Sequence, residues 1–193
     1  NEGSFDDKLH NVIKTIYEFL GKPYPIQRQH KFLVDNIDFD KLKGNHLVKI
    51  DIEQFFVDIS DKENSMVRKT VKDGDASFCK TIKRDTEISN ERITTSRRIS
   101  DKEYYDLLER TTDKPIRKAR YCFTYNNQYY KLDVFDEPKD MIILETELTN
   151  VNKKLEIPDF INVKQDITND LEYRNVNLYK KLNKSKVLGL YID

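Results

Sequence analysis

The chain has 193 residues, enough for one full-sized domain with a real core and slightly short for two. Its 34 Lys and Arg balance its 34 Asp and Glu, which removes the global electrostatic case for a nucleic-acid or anionic-membrane ligand. Charged residues reach 35% and mean hydropathy is -0.77, but 11 Tyr and 10 Phe make the chain too aromatic for disorder.

Cys79 and Cys122 are the only cysteines, and His10, His30 and His46 the only histidines, so no spacing resembles a zinc site or a disulfide framework. The sequence has no signal peptide, and no apolar run approaches the roughly 18 residues of a spanning helix. The expectation is a soluble, intracellular, cytoplasmic protein without a transmembrane segment. It begins without methionine, as an excised piece of a longer protein would.

Ser4 can cap a helix whose apolar residues, among them Leu9, Val12, Ile16, Phe19 and Leu20, recur at intervals of three and four; Gly21, Pro23 and Pro25 end it. Residues 1–23 are read as a packing helix and linker or the end of a preceding domain, and residues 24–193 as the main domain. From Ile26 the period changes to two. Strands are expected over 26–34, 47–59, 66–72, 76–84, 89–99, 115–125, 128–135 and 141–149. A helical turn falls at 39–42, and a Ser100/Glu103 capping box starts a helix reaching about Arg110. Lys72-Asp73-Gly74-Asp75 and Asn126-Asn127 read as hairpin turns. The remainder, with Pro158, Phe160 and Ile161 and then Leu171 to Leu182, reads as closing helical segments or a short added strand. About eight antiparallel strands with two or three helices predict an α+β fold built on a barrel or strongly curved sheet.

Alternation sorts the side chains of each strand. Gln27, Gln29 and Lys31 oppose Arg28, His30, Phe32 and Val34; Lys131 and Asp133 oppose Tyr130, Leu132 and Val134; Glu145 and Glu147 oppose Leu144 and Leu148. Lys118 and Arg120 share a face. Either the charged faces lie in water on a half-buried sheet, or apolar faces are covered outside and a polar lumen remains within. Several strands behaving alike favour the lumen. Lys and Arg spaced by two would then concentrate positive field, and a polyanion is its natural occupant.

Seven short motifs follow one another over roughly residues 24–170: QRQHK (Gln27–Lys31), VRK (Val67–Lys69), TIK (Thr81–Lys83), RITTS (Arg92–Ser96), KAR (Lys118–Arg120), LDV (Leu132–Val134) and ETE (Glu145–Glu147). In this order they resemble the strands of the CYTH, or triphosphate tunnel metalloenzyme, superfamily. The resemblance implies an eight-stranded antiparallel tunnel with flanking helices that binds triphosphate-containing compounds, its glutamates holding Mg2+ or Mn2+ and its basic residues holding phosphate. It assigns phosphate binding to Lys31, Arg68, Lys83, Arg92, Lys118 and Arg120, and Lys131 joins them from the inward face. The metal half departs from the pattern. Gln27, Gln29, Thr94 and Ser96 stand where glutamates are expected, and only Asp133, Glu145 and Glu147 remain. Those seven basic and three acidic residues leave an excess of four positive charges, enough to hold a triphosphate directly. The segment LGKPYPIQRQHKFLV also resembles the junction in eukaryotic proteins that place a P-loop NTPase domain ahead of such a barrel, although no GxxxxGK[ST] loop occurs in this sequence.

Three functions are therefore weighed. The first is a degenerate tunnel that binds a triphosphate, polyphosphate, nucleotide or other phosphorylated ligand with little or no turnover, a pseudoenzyme with weak or no need of Mg2+ or Mn2+. The second is a divalent-metal-dependent triphosphatase using the remaining carboxylates. The third is a structural interaction platform. No base-stacking motif or basic exterior stripe points to nucleic acid.

Overall fold

In the computed structural model, which describes residues 12–13, 15–17, 19–20, 26–44, 46–85, 91–147 and 155–188, hairpin turns set the path of one antiparallel sheet. β3 (Glu63–Lys72) turns into β4 (Asp75–Asp85) through Asp73 and Gly74, at φ 51° and 91°. β6 (Ile116–Tyr125) turns into β7 (Gln128–Phe135) through Asn126 and Asn127, at φ 47° and 56°. Two successive positive φ values give a turn whose twist matches its strands, and Asp, Asn and Gly reach that region most cheaply. The other strands are β1 (Ile26–Ile37), β2 (Val48–Ile59), β5 (Glu91–Arg98), β8 (Ile142–Glu147) and β9 (Ile161–Asp166). Residues 12–13, 15–17 and 19 are helical, and the further helices are α1 (Phe39–Lys43), α2 (Asp101–Leu108), a 3-10 turn (Leu171–Tyr173) and α3 (Asn175–Leu188).

The strand order is β5-β4-β3-β2-β6-β7-β8-β1-β9. The start of β1 also meets β5, through the pairs Ile26–Ile93, Gln27–Arg92 and Arg28–Glu91. The expected closed eight-stranded barrel is corrected here. Among the described residues the sheet has nine strands and is not fully closed, because β5 meets β1 over only three residue pairs while β9 pairs with β1 from Phe32 to Ile37. The ninth strand is formed by part of the stretch read as closing helices or an added strand.

Apolar residues on the outward faces bury under peripheral elements. Phe32, Leu132, Tyr130 and Leu144 pack with Leu42 of α1 and with Phe160 just before β9. On the other side Phe55 and Val67 pack beneath Tyr104 of α2, which is fully buried and lies 4.8 Å from the Phe78 ring. Ser100 caps that helix, its hydroxyl accepting from the Glu103 N–H at 3.0 Å. Each such large side chain contributes about 1.5–3 kcal/mol by leaving water.

The inward faces are not uniformly polar. Along β1 the inner residues run Gln29, Lys31, Leu33; along β2 Gln54, Phe56; along β3 Arg68, Met66; along β6 Lys118, Ile116; along β7 Asp133, Phe135; along β8 Glu145, Ile143. The apolar members gather in one cluster with Ile167 and with Leu178 and Tyr179 of α3. The C-terminal segment thereby supplies an apolar floor beneath the polar half of the interior.

Much of the expected N-terminal helix, its proposed domain boundary and residues 148–149 of the eighth strand lie outside the described residues. Among the described residues no helix is long and apolar enough to cross a membrane.

Candidate functional site

Above the floor the inner faces surround a cavity of about 290 Å³. Period two brings basic residues to it from most strands: Lys31 from β1, Arg68 from β3, Lys83 from β4, Arg92 from β5, Lys118 and Arg120 from β6, and Lys131 from β7. All seven basic residues named from the sequence therefore come together. Gln29, Thr94 and Ser96 line the cavity as well, and the Ser96 hydroxyl lies 2.9 Å from that of Thr81. The backbone of Gln27 pairs with Arg92; its side chain lies outside the described residues.

The three acidic residues are placed differently from one another. Glu145 reaches the cavity, whereas Asp133 is wholly buried behind it between Lys118 and Arg120. Cross-strand register produces this arrangement, with Lys31 and Lys131 flanking Glu145, and Arg120 opposite Asp133. Lys31 Nζ lies 2.8 Å from Glu145 Oε1, and Arg120 Nη2 lies 3.3 Å from Glu145 Oε2. Lys118 Nζ and Arg120 Nε each reach Asp133 at 2.6 Å. Glu147 accepts from Lys131 at 2.9 Å and from Gln29 Nε2 at 3.1 Å. Burial alone would raise the Glu145 pKa, but Lys31, Arg120 and Lys118 hold it well below the usual carboxylate range. Asp133 is lowered in the same way, burial being outweighed by Lys118 and Arg120.

The opposite wall is underneutralised. Among the described residues Lys83 has no ion-pair or hydrogen-bond partner, and Arg68 Nε, Gln54 Nε2 and Asn64 Oδ1 are buried without a partner. Burial pushes the Lys83 amine down to about 7, aided by Lys31, Arg92 and Arg68 and opposed by Glu145. Arg92 and Arg174, the latter at the start of α3, share one carboxylate: Asp85 lies 3.0 Å from each. The Arg92 pKa is lowered by burial and then by Arg174. Eight basic side chains line the cavity, and among the described residues the carboxylates that pair with them are Asp85, Asp133, Glu145 and Glu147, so basic groups outnumber carboxylates by four, with Lys83 only partly charged at neutral pH.

The carboxylates are not grouped around a cation position among the described residues. Each is engaged by basic side chains, and among the described residues no group of three His, Cys, Asp or Glu is placed to hold a metal ion. Magnesium-type sites need carboxylate oxygens free to face the ion. The Asp133–Glu145–Glu147 metal set read from the sequence is not assembled as a ligand cluster.

Four participants escaped the sequence reading. Gln54 sits between Ile52 and Phe56 in a face that reads as apolar, and Asn64 and Asp85 lie at strand ends where alternation loses force. Buried polarity within an apolar face was a usable signal for Gln54. Arg174 follows a 3-10 turn and carries no periodic signal.

No family model matches the sequence, and no curated protein matches it at a significant level. The fold has solved counterparts. Two crystal structures of NE1496, one of them described as an inorganic triphosphatase, superpose with TM-scores of 0.56 and 0.54 at 19% identity. They cover 79% of this chain and 97% and 93% of their own. The protein PH1819 of Pyrococcus horikoshii gives 0.50 at 17% identity, over 65% of this chain and 80% of its own. The class is thus an α+β, tunnel-like antiparallel sheet with helices packed around it. This chain shares that fold with NE1496.

Proposed function

We propose that this protein binds a triphosphate- or polyphosphate-containing ligand in its basic cavity without requiring a divalent metal, with little or no hydrolysis. The observation that carries the reading is the excess of four basic groups over carboxylates around the cavity, with Lys83 unpartnered and Arg68 Nε unsatisfied among the described residues. Charge-assisted and bidentate contacts from Lys and Arg recognise phosphoryl oxygens directly. Gln29, Gln54, Thr94 and Ser96 add hydrogen-bond donors that carboxylates lack. The seven basic residues read from the sequence are the proposed phosphate ligands, and Arg174 is added to them.

A second reading, a metal-dependent triphosphatase, is favoured by the likeness in fold to the inorganic triphosphatase NE1496. It requires Glu145, Glu147 and Asp133 to exchange their basic partners for a cation. A P-loop NTPase domain ahead of this chain remains part of the proposal drawn from the Gln27 junction. The experiment is a thermal-shift series of orthophosphate, pyrophosphate, tripolyphosphate and nucleoside triphosphates, with sulfate at matched ionic strength. Stabilisation that grows with phosphate number supports the reading. Equal stabilisation by sulfate, or none, sinks it and leaves the interaction-platform alternative.

A further inference from the structure

Between β1, β4, β5 and the C-terminal segment, a side pocket opens off the main cavity; it is lined by Gln29, Lys31, Lys83, Arg92, Thr168, Asp170 and Arg174. The carboxylates nearby are already engaged. Asp85 is shared by the Arg92 and Arg174 guanidiniums, Glu145 is shared by Lys31 and Arg120, and Asp170 accepts the Glu172 backbone N–H at 2.9 Å. Two guanidiniums share Asp85, Lys83 has no ion-pair partner among the described residues, and Asp170 is the one carboxylate in the lining itself, so the four basic side chains of the pocket outnumber its acidic ones. A phosphoryl group offers those basic side chains several acceptor oxygens at once.

Two of the lining residues belong to the C-terminal segment. Thr168 is docked beside Lys31, its Oγ1 accepting from the Lys31 backbone N–H at 3.1 Å, and the Ile167 N–H donates to the Lys31 carbonyl at 2.9 Å. The Arg174 carbonyl accepts from the N–H groups of Asn177 and Leu178 at 2.8 and 3.0 Å, so its backbone is the first link of α3 while its side chain reaches the wall. The same helix buries Leu178 and Tyr179 in the floor.

We propose that this pocket holds the terminal phosphoryl group of the ligand, and that Arg174 makes the C-terminal segment part of the site, so that anion binding clamps residues 167–188 onto the sheet. The inference rests on the phosphate-binding reading and adds to it a specificity-determining residue outside the strands. A bound phosphoryl oxygen offers Arg174 and Arg92 separate acceptors in place of the shared Asp85. It also gives Lys83 a direct anionic partner, which it lacks among the described residues.

The test combines calorimetry with hydrogen exchange on the full chain, using tripolyphosphate, orthophosphate and a phosphate monoester as probes. Tripolyphosphate should slow exchange across residues 167–188 of the wild type. Arg174→Gln should weaken tripolyphosphate binding about tenfold and abolish the added protection, whereas Arg174→Lys should restore part of each. Binding of orthophosphate or the monoester with the same protection supports a self-sufficient phosphoryl pocket; protection by tripolyphosphate alone supports a pocket reached only as the end of a longer anion. The ligand-free thermal midpoint of each variant reports whether it folds. If wild type binds tripolyphosphate but Arg174→Gln binds it equally, or the segment gains no protection, the proposal is overturned and the phosphate-binding reading stands. If no phosphate compound binds the wild type, both fall.

Discussion

Replacing Lys83 with methionine is expected to make the empty protein more stable and its phosphate complex weaker. Burial, with Lys31, Arg92 and Arg68 adding to it and Glu145 opposing, brings the amine from 10.5 down to about 7. The folded-state pKa lies below that of the unfolded chain. Between those values the unfolded chain binds more protons, so stability rises with pH from about 7 towards 10.5 and the penalty is full below the folded value. The whole drop corresponds to ~4 kcal/mol at neutral pH. Because Lys83 is only half-buried by surface area, solvent screening leaves about 1–2 kcal/mol for Lys83→Met to recover. Urea denaturation of both proteins at about pH 7 and about pH 9.5 reads this directly. The variant should be the more stable at the lower pH, with the gap closing at the higher. A variant that is less stable at neutral pH, with the same dependence on pH as wild type, would refute the charge crowding assigned to this wall.

Other substitutions separate structure from binding. Asp133→Asn leaves Lys118 and Arg120 buried without their counter-charge and should lower stability by ~3–5 kcal/mol in chemical denaturation; a loss below ~1 kcal/mol would contradict the pairing described. Glu145→Gln releases Lys31 into the cavity and leaves Arg120 on Asp133 alone, so tripolyphosphate binding in chelator should tighten several-fold, whereas loss of binding measured with Mg2+ present would favour a carboxylate-held metal. Gln27→Glu, Gln29→Glu, Thr94→Glu and Ser96→Glu together should create measurable Mn2+ affinity, and calorimetry showing none would undo the correspondence of these four positions with the resembled motif. Phe56→Ala opens the floor beneath the cavity and should destabilise by ~3–5 kcal/mol, measured by the denaturant midpoint.

The strands were legible because period two is a direct record of which face meets the core. It located β7 at its observed ends, Gln128 and Phe135, and it brought Lys31, Lys118, Arg120 and Lys131 to one face. Turn chemistry at Asp73-Gly74 and Asn126-Asn127 fixed both hairpins, since positive φ is accessible to few residue types. The ninth strand was less legible. Its alternation, Ile161 and Val163 against Asn162 and Lys164, is short and flanked by residues suited to helix or loop. Nor did alternation reveal that each inner face changes from polar to apolar along its length, because Leu33, Phe56, Met66 and Ile143 become a floor only when α3 covers them. The pairing of Arg92 and Arg174 on one aspartate depends on residues 82 positions apart in the chain, and no local pattern encodes such a contact.

Titration calorimetry of the purified protein with tripolyphosphate, in chelator and then in excess Mg2+, tests metal-independent phosphate binding most directly. The account predicts saturable binding in chelator, undiminished by removing the metal and accompanied by no more than trace release of orthophosphate. Binding that appears only with Mg2+, followed by orthophosphate release that Glu145→Gln abolishes, would contradict it.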